Sequence, residues 1–278
     1  MELPGVVLDQ RLGPFDGCVD EALVARYASA TTDPNERVRA ALAAPPAAIV
    51  TQIWEAQEAC RERLVAPHVT AGAVGGVHGE HDIVLHRPIR IGEALHTWVD
   101  GFGARPAGRH SLIVLRYTTL DDAGEVVAEQ LWSTMYFGVS CAETGATVPD
   151  HGFGDDVRQR QLGTYSLHID DGMARRYAEA SGDWSAHHFD VAAAQVGGFD
   201  RIFLHGLCTL GIAAQGVVAA VADGDPDRVR RLAARFASPA FVGDDLDVLL
   251  YDAGPSTVAF EATSSGTLVL SQGRIELR

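Results

Sequence analysis

An internal repeat constrains this chain more than any other feature. Arg26-Tyr27-Ala-Ser-Ala-Thr-Thr-Asp33 matches Arg176-Tyr177-Ala-Glu-Ala-Ser-Gly-Asp183 at an offset of 150 residues. Arg87-Pro88-Ile-Arg-Ile-Gly92-Glu93 resembles Ser238-Pro239-Ala-Phe-Val-Gly243-Asp244, with Pro and Gly four apart in both. Repeats of this kind mean two copies of one supersecondary unit. The 278 residues, 47% of them hydrophobic, suit two such units. A chain of this length can bury its core without disulfide staples.

The copies share an order of elements. A short helix is expected first, at about residues 20–30 and 170–181. A loop then carries the Asp, a longer apolar helix follows (about 46–62 and 206–222), and strands come last. Apolar or alternating runs mark those strands at 83–85, 94–99, 112–115, 125–132, 246–251, 257–260 and 267–270. Turns are expected at 121–124 and 264–266. The second long helix is apolar on every side, which is the pattern of a buried helix. A buried helix against antiparallel strands makes an α+β arrangement. Gly, Asp, Pro and His between Ser140 and Arg160 read as a linker, which divides the chain into units 1–145 and 155–278. A second loop of small residues is expected at 72–79.

Net charge is -15 at pH 7, which argues against nucleic acid as a partner. Every basic residue apart from the histidines is Arg, so an anion must be held by Arg, by backbone N–H groups or by helix ends. Cys18, Cys60, Cys141 and Cys208 form no CxxC pair, so neither a zinc site nor a disulfide framework is expected. The first residues lack the basic and apolar regions of a signal peptide, and no apolar run is long enough to span a membrane. A cytoplasmic enzyme or binding protein is the expectation.

Only the second copy looks armed for chemistry. Asp183 and His188 stand five residues apart, just past a helix, and Gly206 opens the apolar helix. The position matching His188 in the first copy is Val38. A carboxylate and an imidazole can grip one water, and a helix start offers unpaired N–H groups to developing negative charge. These are the parts needed to add water to an activated double bond.

Residues 180–188, Ala-Ser-Gly-Asp-Trp-Ser-Ala-His-His, with 204–209, Leu-His-Gly-Leu-Cys-Thr, are similar to the (R)-specific enoyl-CoA hydratase motif of the MaoC-like, hot-dog-fold family. The two-copy layout resembles that family's double hot-dog members, in which two antiparallel sheets each wrap a long central helix. The resemblance implies a hydro-lyase acting on a 2-enoyl or 3-hydroxyacyl thioester, with Asp183 and His188 as the dyad and Gly206 as oxyanion donor. It implies no metal or redox cofactor, coenzyme A as the substrate's handle, and a first copy that holds the acyl chain. Small and apolar residues near 41–49 and 71–79 are the expected wall of that pocket. Gly75 to Glu80 and His86-Arg87-Pro88 also look like family sequence. Two departures stand out. Ser185 and Ala186 replace the family's usual Asn-Pro, and His187 replaces a small aliphatic.

Candidate substrate contacts are Trp184, Ser185, His205 and Arg201. Ser185 is placed to position water, and His205 to pack at the helix start. Arg87, Arg90, Arg201 and Arg235 are candidates for coenzyme A phosphates, with paired surface Arg as the plainer reading of each. Asp33 reads as a structural relic. His78, His81 and His86 lack a second cluster and are not expected to hold a metal. Two other readings stay open. One is a thioesterase using Glu55 or Glu58 of the first-copy helix. The other is a non-catalytic acyl-thioester binder or partner subunit. Homodimerisation is possible.

Overall fold

The computed structural model describes residues 2–3, 10–60 and 76–278. The first half holds β1 (Glu2–Leu3), β2 (Arg11–Cys18), α1 (Glu21–Ala30), α2 (Glu36–Arg39), a 3-10 helix (Pro46–Gln52) and α3 (Trp54–Cys60). Then come β3 (Gly76–Leu85), β4 (Ala94–Ala107), β5 (His110–Asp121), β6 (Val126–Tyr136), β7 (Ser140–Cys141) and β8 (Thr144–Gly145). The second half holds α4 (Asp155–Arg158), β9 (Gln161–His168), α5 (Met173–Ser181), a 3-10 turn (Ala186–His188), α6 (Val191–Val196) and α7 (Gly206–Val221). A 3-10 turn (Pro226–Arg228) leads into β10 (Val229–Phe236), β11 (Asp245–Asp252), β12 (Thr257–Ser264) and β13 (Thr267–Leu277).

The strand order is a palindrome. It runs β2-β4-β5-β6-β3 and then β10-β13-β12-β11-β9, so each half repeats the other in reverse. This is the double hot-dog architecture. The two sheets do not merely face each other. They join edge to edge where β3 pairs antiparallel with β10, Asp82 opposite Ala233. Two ion pairs clamp that seam. Arg231 binds Asp82 through two bonds of 2.6 and 3.0 Å, with Asp82 almost wholly buried. Arg235 binds Glu80 at 2.8 Å. At the pseudo-twofold axis the repeated tyrosines meet, with the Tyr27 and Tyr177 rings edge to face at 5.8 Å.

The repeated Pro–Gly motif has a backbone cause. Gly92 and Gly243 both sit at positive φ, 84° and 90°. Their N–H groups donate to the carbonyls of Val19 and Ile169, at 3.0 and 2.8 Å, just ahead of α1 and α5. Only Gly takes that conformation without steric cost.

The central helices differ. In α7 every residue from Leu207 to Val218 is buried, as an all-apolar helix requires. The first-half counterpart is not one long helix. It is a 3-10 segment that gives way to α3 after Gln52. Pro45-Pro46 opens it, and Ile49-Val50-Thr51 is a β-branched run with weak helix preference. The Thr51 hydroxyl bonds back to the Ala48 carbonyl at 2.9 Å, and Gln52 Nε2 donates sideways to the Cys18 carbonyl at 3.3 Å. Those bonds compete with a regular ladder. The expected residues 61–62 of this helix, and 71–75 of the small-residue wall, lie outside the described residues.

In each repeat a strand comes ahead of the expected first helix, β2 before α1 and β9 before α5. Strands β2 and β9 are the two outer edges of the sheet. Edge strands tolerate Gly, Pro and polar residues, and Arg11–Cys18 carries Gly13, Pro14 and Gly17. That hides the alternation by which strands are read. Residues 76–79, expected in a loop, pair with β6 as the start of β3. All four cysteines are free thiols.

Candidate active site

The second repeated turn builds the site. Helix α5 stops because Gly182 takes a left-handed conformation at φ 84°, and its N–H closes on the Ala178 carbonyl at 2.8 Å. A Cβ at Gly182 would also meet the Trp54 ring at 3.2 Å, so the first half's α3 presses on this turn. Asp183 follows. Its Oδ1 accepts the Ser185 N–H at 3.0 Å and the Ser185 hydroxyl at 2.6 Å. This Asx-type turn leads directly into the 3-10 turn that carries His188.

His188 is 5% exposed. Its Nδ1 donates to the Phe203 carbonyl at 2.8 Å, which sets the tautomer and leaves the Nε2 lone pair free. Burial pushes its pKa down to about 3, and the neighbouring His205 and His187 add to the fall while Asp183 opposes it. The ring is therefore neutral and basic at Nε2 in neutral water. An Asp183 carboxylate oxygen and ring nitrogens of His188 and His205 lie within 4.8 Å of one another.

His205 is a brace in this arrangement. Its Nε2–H donates to the Asp183 main-chain carbonyl at 3.0 Å, and its ring stacks on His188 at 3.7 Å. It also lies against Tyr177, with ring centres 5.0 Å apart. Burial lowers its pKa to about 4. A metal ion would need the in-plane lone pairs of both imidazoles. Two stacked rings, 28° from parallel, present those lone pairs in nearly parallel planes and are poorly posed to share one ion.

Gly206 follows His205 as the first residue of α7. The first bond within that helix is Thr209 N–H to the His205 carbonyl, so the N–H groups before it face outward from the ladder. A Cβ on Gly206 would meet the Phe236 ring at 2.9 Å. Phe236 continues into first-half aromatics. His78 lies 4.6 Å from it and stacks on Trp132 at 3.7 Å. Trp54 lies 6.4 Å from Trp132. The site's apolar wall is thus supplied largely by the other half.

Asp183, Ser185, His188, His205 and Gly206 come together. Trp184 is 52% exposed beside Phe189 and makes no polar contact with the dyad. Arg201 is committed elsewhere. Both its terminal nitrogens bind Asp244, at 3.2 and 3.0 Å, and its guanidinium lies 4.3 Å over the Phe241 ring. Arg87 is held by Glu93 and Asp121, and Arg235 by Glu80, while Arg90 is exposed. His81 bonds Gln130 and His78, whereas His86 bonds Glu129, so His78, His81 and His86 do not converge on one point. Sequence reasoning missed the Phe203 carbonyl, Trp54 and Phe236. A main-chain oxygen leaves no mark in sequence, and the two aromatics act across the fold.

Residues 154–269 match the family described as MaoC like domain. The probable enoyl-CoA hydratase 2 of Dictyostelium discoideum is 25% identical over 71% of this chain and 68% of its own. The 3-hydroxyacyl-thioester dehydratase Y of Mycobacterium tuberculosis is 29% identical over 72% of each. A MaoC-like dehydratase from Phytophthora capsici superposes with a TM-score of 0.83 at 19% identity, covering 98% of both chains, a likeness of fold. The fold and the second-half domain thus define a MaoC-like double hot-dog. Residues 154–269 thus carry a MaoC like domain, and relatives of the chain are named enoyl-CoA hydratase and 3-hydroxyacyl-thioester dehydratase.

Proposed function

We propose that this protein reversibly adds water to a trans-2-enoyl thioester, with coenzyme A as the thiol, to give the (3R)-3-hydroxyacyl thioester. The observation that carries this reading is the convergence of a neutral His188, with Nε2 free, and the Asp183 carboxylate, beside the helix start at Gly206. Water sits between His188 Nε2 and the Asp183 oxygen not taken by Ser185. His188 takes a proton as the water oxygen bonds to Cβ. The C=C electrons move towards the carbonyl, and negative charge builds on the thioester oxygen. The Gly206 N–H faces that oxygen, and one such donor lowers the barrier by roughly 3–4 kcal/mol. The enolate then takes the proton at Cα, which returns the dyad to its starting state. Addition of water is redox-neutral overall and calls for no redox cofactor.

Ser185 serves as the positioning residue for Asp183, and His205 as the brace that ties the Asp183 loop to α7. The acyl chain lies against Trp54, Trp132, His78 and Phe236. Trp184 at the exposed rim meets the substrate's thiol end. Arg201 reaches a phosphate only by leaving Asp244, so we assign the phosphates no firm partner there.

The test follows loss of enoyl-thioester absorbance over a panel of 2-enoyl-CoAs, with chiral analysis of the product, for wild type and His188→Ala. A (3R) product that disappears with the substitution supports the reading. Saturable binding with no turnover at any chain length would replace it with a non-catalytic binder. Release of free thiol would point instead to a thioesterase.

A further inference from the structure

We propose that the first-half counterpart of the active site is a second binding site, for a small uncharged molecule that carries a hydroxyl on an apolar body. A cavity of about 340 Å³ lies between the turn after α1 and the middle of α7. Asp33 and Val38 line it where Asp183 and His188 stand in the second half, and Pro46 lines it at the start of the counterpart helix. The rest of its wall is mostly apolar, with Ala214 and Val218 of α7 opposite.

This is not a spare catalytic centre. Val38 has no proton to move, and Pro46 has no N–H with which to meet an oxyanion. Two polar groups remain. Asp33 is 7% exposed, and its side chain has one hydrogen bond among the described residues, from the Asn35 N–H to Oδ1 at 2.9 Å. Gln215 is also 7% exposed. Its Oε1 accepts the Tyr165 hydroxyl at 3.5 Å, while its Nε2 is buried without a partner among the described residues. Both residues line the cavity, so a ligand that draws the Gln215 amide outward meets an acceptor on Asp33 and a donor on Gln215. A hydroxyl answers both, donating to Asp33 and accepting from Gln215.

Charge selects against other heads. Among the described residues the lining holds no basic side chain, and Glu36 adds a second carboxylate. The nearby Arg37 is bound to Asp225 at 2.6 Å. A carboxylate or phosphate would therefore be repelled. At roughly 30 Å³ per water, the volume matches about ten waters, or a body of about six to eight carbons.

The experiment titrates 1-hexanol and hexanoate into the full chain, following amide NMR shifts. It uses wild type, His188→Ala, Ala219→Phe and Gln215→Leu. Ala219 is an exposed residue at the cavity's rim, so its replacement fills the space without cutting the core. Hexanol should bind saturably to wild type and to His188→Ala. Binding should weaken at least tenfold in Ala219→Phe and in Gln215→Leu, with the hydration rate of Ala219→Phe unchanged. Hexanoate should bind at least tenfold more weakly than hexanol. Absence of saturable hexanol binding, or binding that Ala219→Phe leaves intact, overturns the site. Equal binding of hexanoate overturns the ligand class. The readout is binding, so it stands or falls apart from the hydratase reading.

Discussion

In both halves a helix ends, one residue turns left-handed, and an Asp side chain accepts the N–H two residues on. In the first half these are Thr32 at φ 51° and Asp33, bonded to Asn35 at 2.9 Å. In the second they are Gly182 at φ 84° and Asp183, bonded to Ser185 at 3.0 Å. The turn is the same and the equipment differs. Val38 is 1% exposed, packed in the core where the second half places His188. A proline opens the first central segment where a glycine opens the second. The Asp therefore has a structural job in both halves and, on the proposed reading, a chemical one in only the second. Its persistence at position 33 needs no catalysis to explain it.

The largest effect expected from this contrast is on the dyad. His188→Ala should lower kcat by about 10²–10⁴-fold, the usual worth of a positioned acid–base group. Adding Val38→His to that variant should restore nothing, because Pro46 supplies no N–H. Recovery of turnover in the double variant would break the comparison.

Gly206→Val comes next. It sets a branched side chain where even a Cβ lies 2.9 Å from the Phe236 ring, and it displaces the proposed oxyanion donor. A fall in kcat/KM of about 10²–10³-fold is expected. Ala47→Val, one residue along the first-half segment, should leave the rate within about twofold.

The seam should matter to stability more than to chemistry. Arg231→Met leaves Asp82 buried and unpaired, which costs about 3–5 kcal/mol. Chemical denaturation should show that loss, with kcat per folded molecule retained.

The pH dependence separates the halves more finely. His188 is held near 3 and His205 near 4, both chiefly by burial. An unfolded His titrates near 6.5. The folded values are lower, so the stability tied to the neutral rings is fully present above about pH 6.5. It is lost as pH falls towards the folded values, at up to about 1.4 kcal/mol per unit for each ring. Denaturation midpoints at pH 7 and pH 5 should show this, and His188→Ala should reduce the slope. For catalysis, kcat/KM should stay flat through pH 6.5 and fall only well below pH 5. An acid limb centred near 6.5 would contradict a buried, neutral His188.

The smallest effect concerns the turn itself. A β-branched residue is strained at positive φ, so Thr32→Gly should stabilise by about 1 kcal/mol or less. Gly182→Thr should destabilise and slow turnover, since it brings both strain and the Trp54 ring.

Much of this was legible in the sequence because local physics wrote it there. The offset of 150 exposed the duplication, and the all-apolar run of α7 announced a buried helix. Asp183, His188 and Gly206 could be read together because their spacing runs along one turn and one helix start. What stayed hidden depends on partners distant in sequence. The β3–β10 seam joins Arg231 to Asp82, 149 residues away. Arg201 reads as a free cation until Asp244 is seen beside it. The edge strand β2 lacks a clear apolar alternation because Gly13, Pro14 and Gly17 interrupt it, whereas β9 alternates only weakly in hydrophobicity, through Gly163, Tyr165 and Leu167. The break after Gln52 depends on a carbonyl of Cys18 that no helix pattern encodes.

The most direct test of the central claim is a paired measurement of kcat/KM on a trans-2-enoyl-CoA for Asp183→Asn and Asp33→Asn. Asn keeps the turn's acceptor oxygen in both, so folding is spared. Asp183→Asn should lose at least about 100-fold, and Asp33→Asn should change within about twofold. Equal losses, or a larger loss at Asp33, would contradict the claim that only the second half is the reacting site.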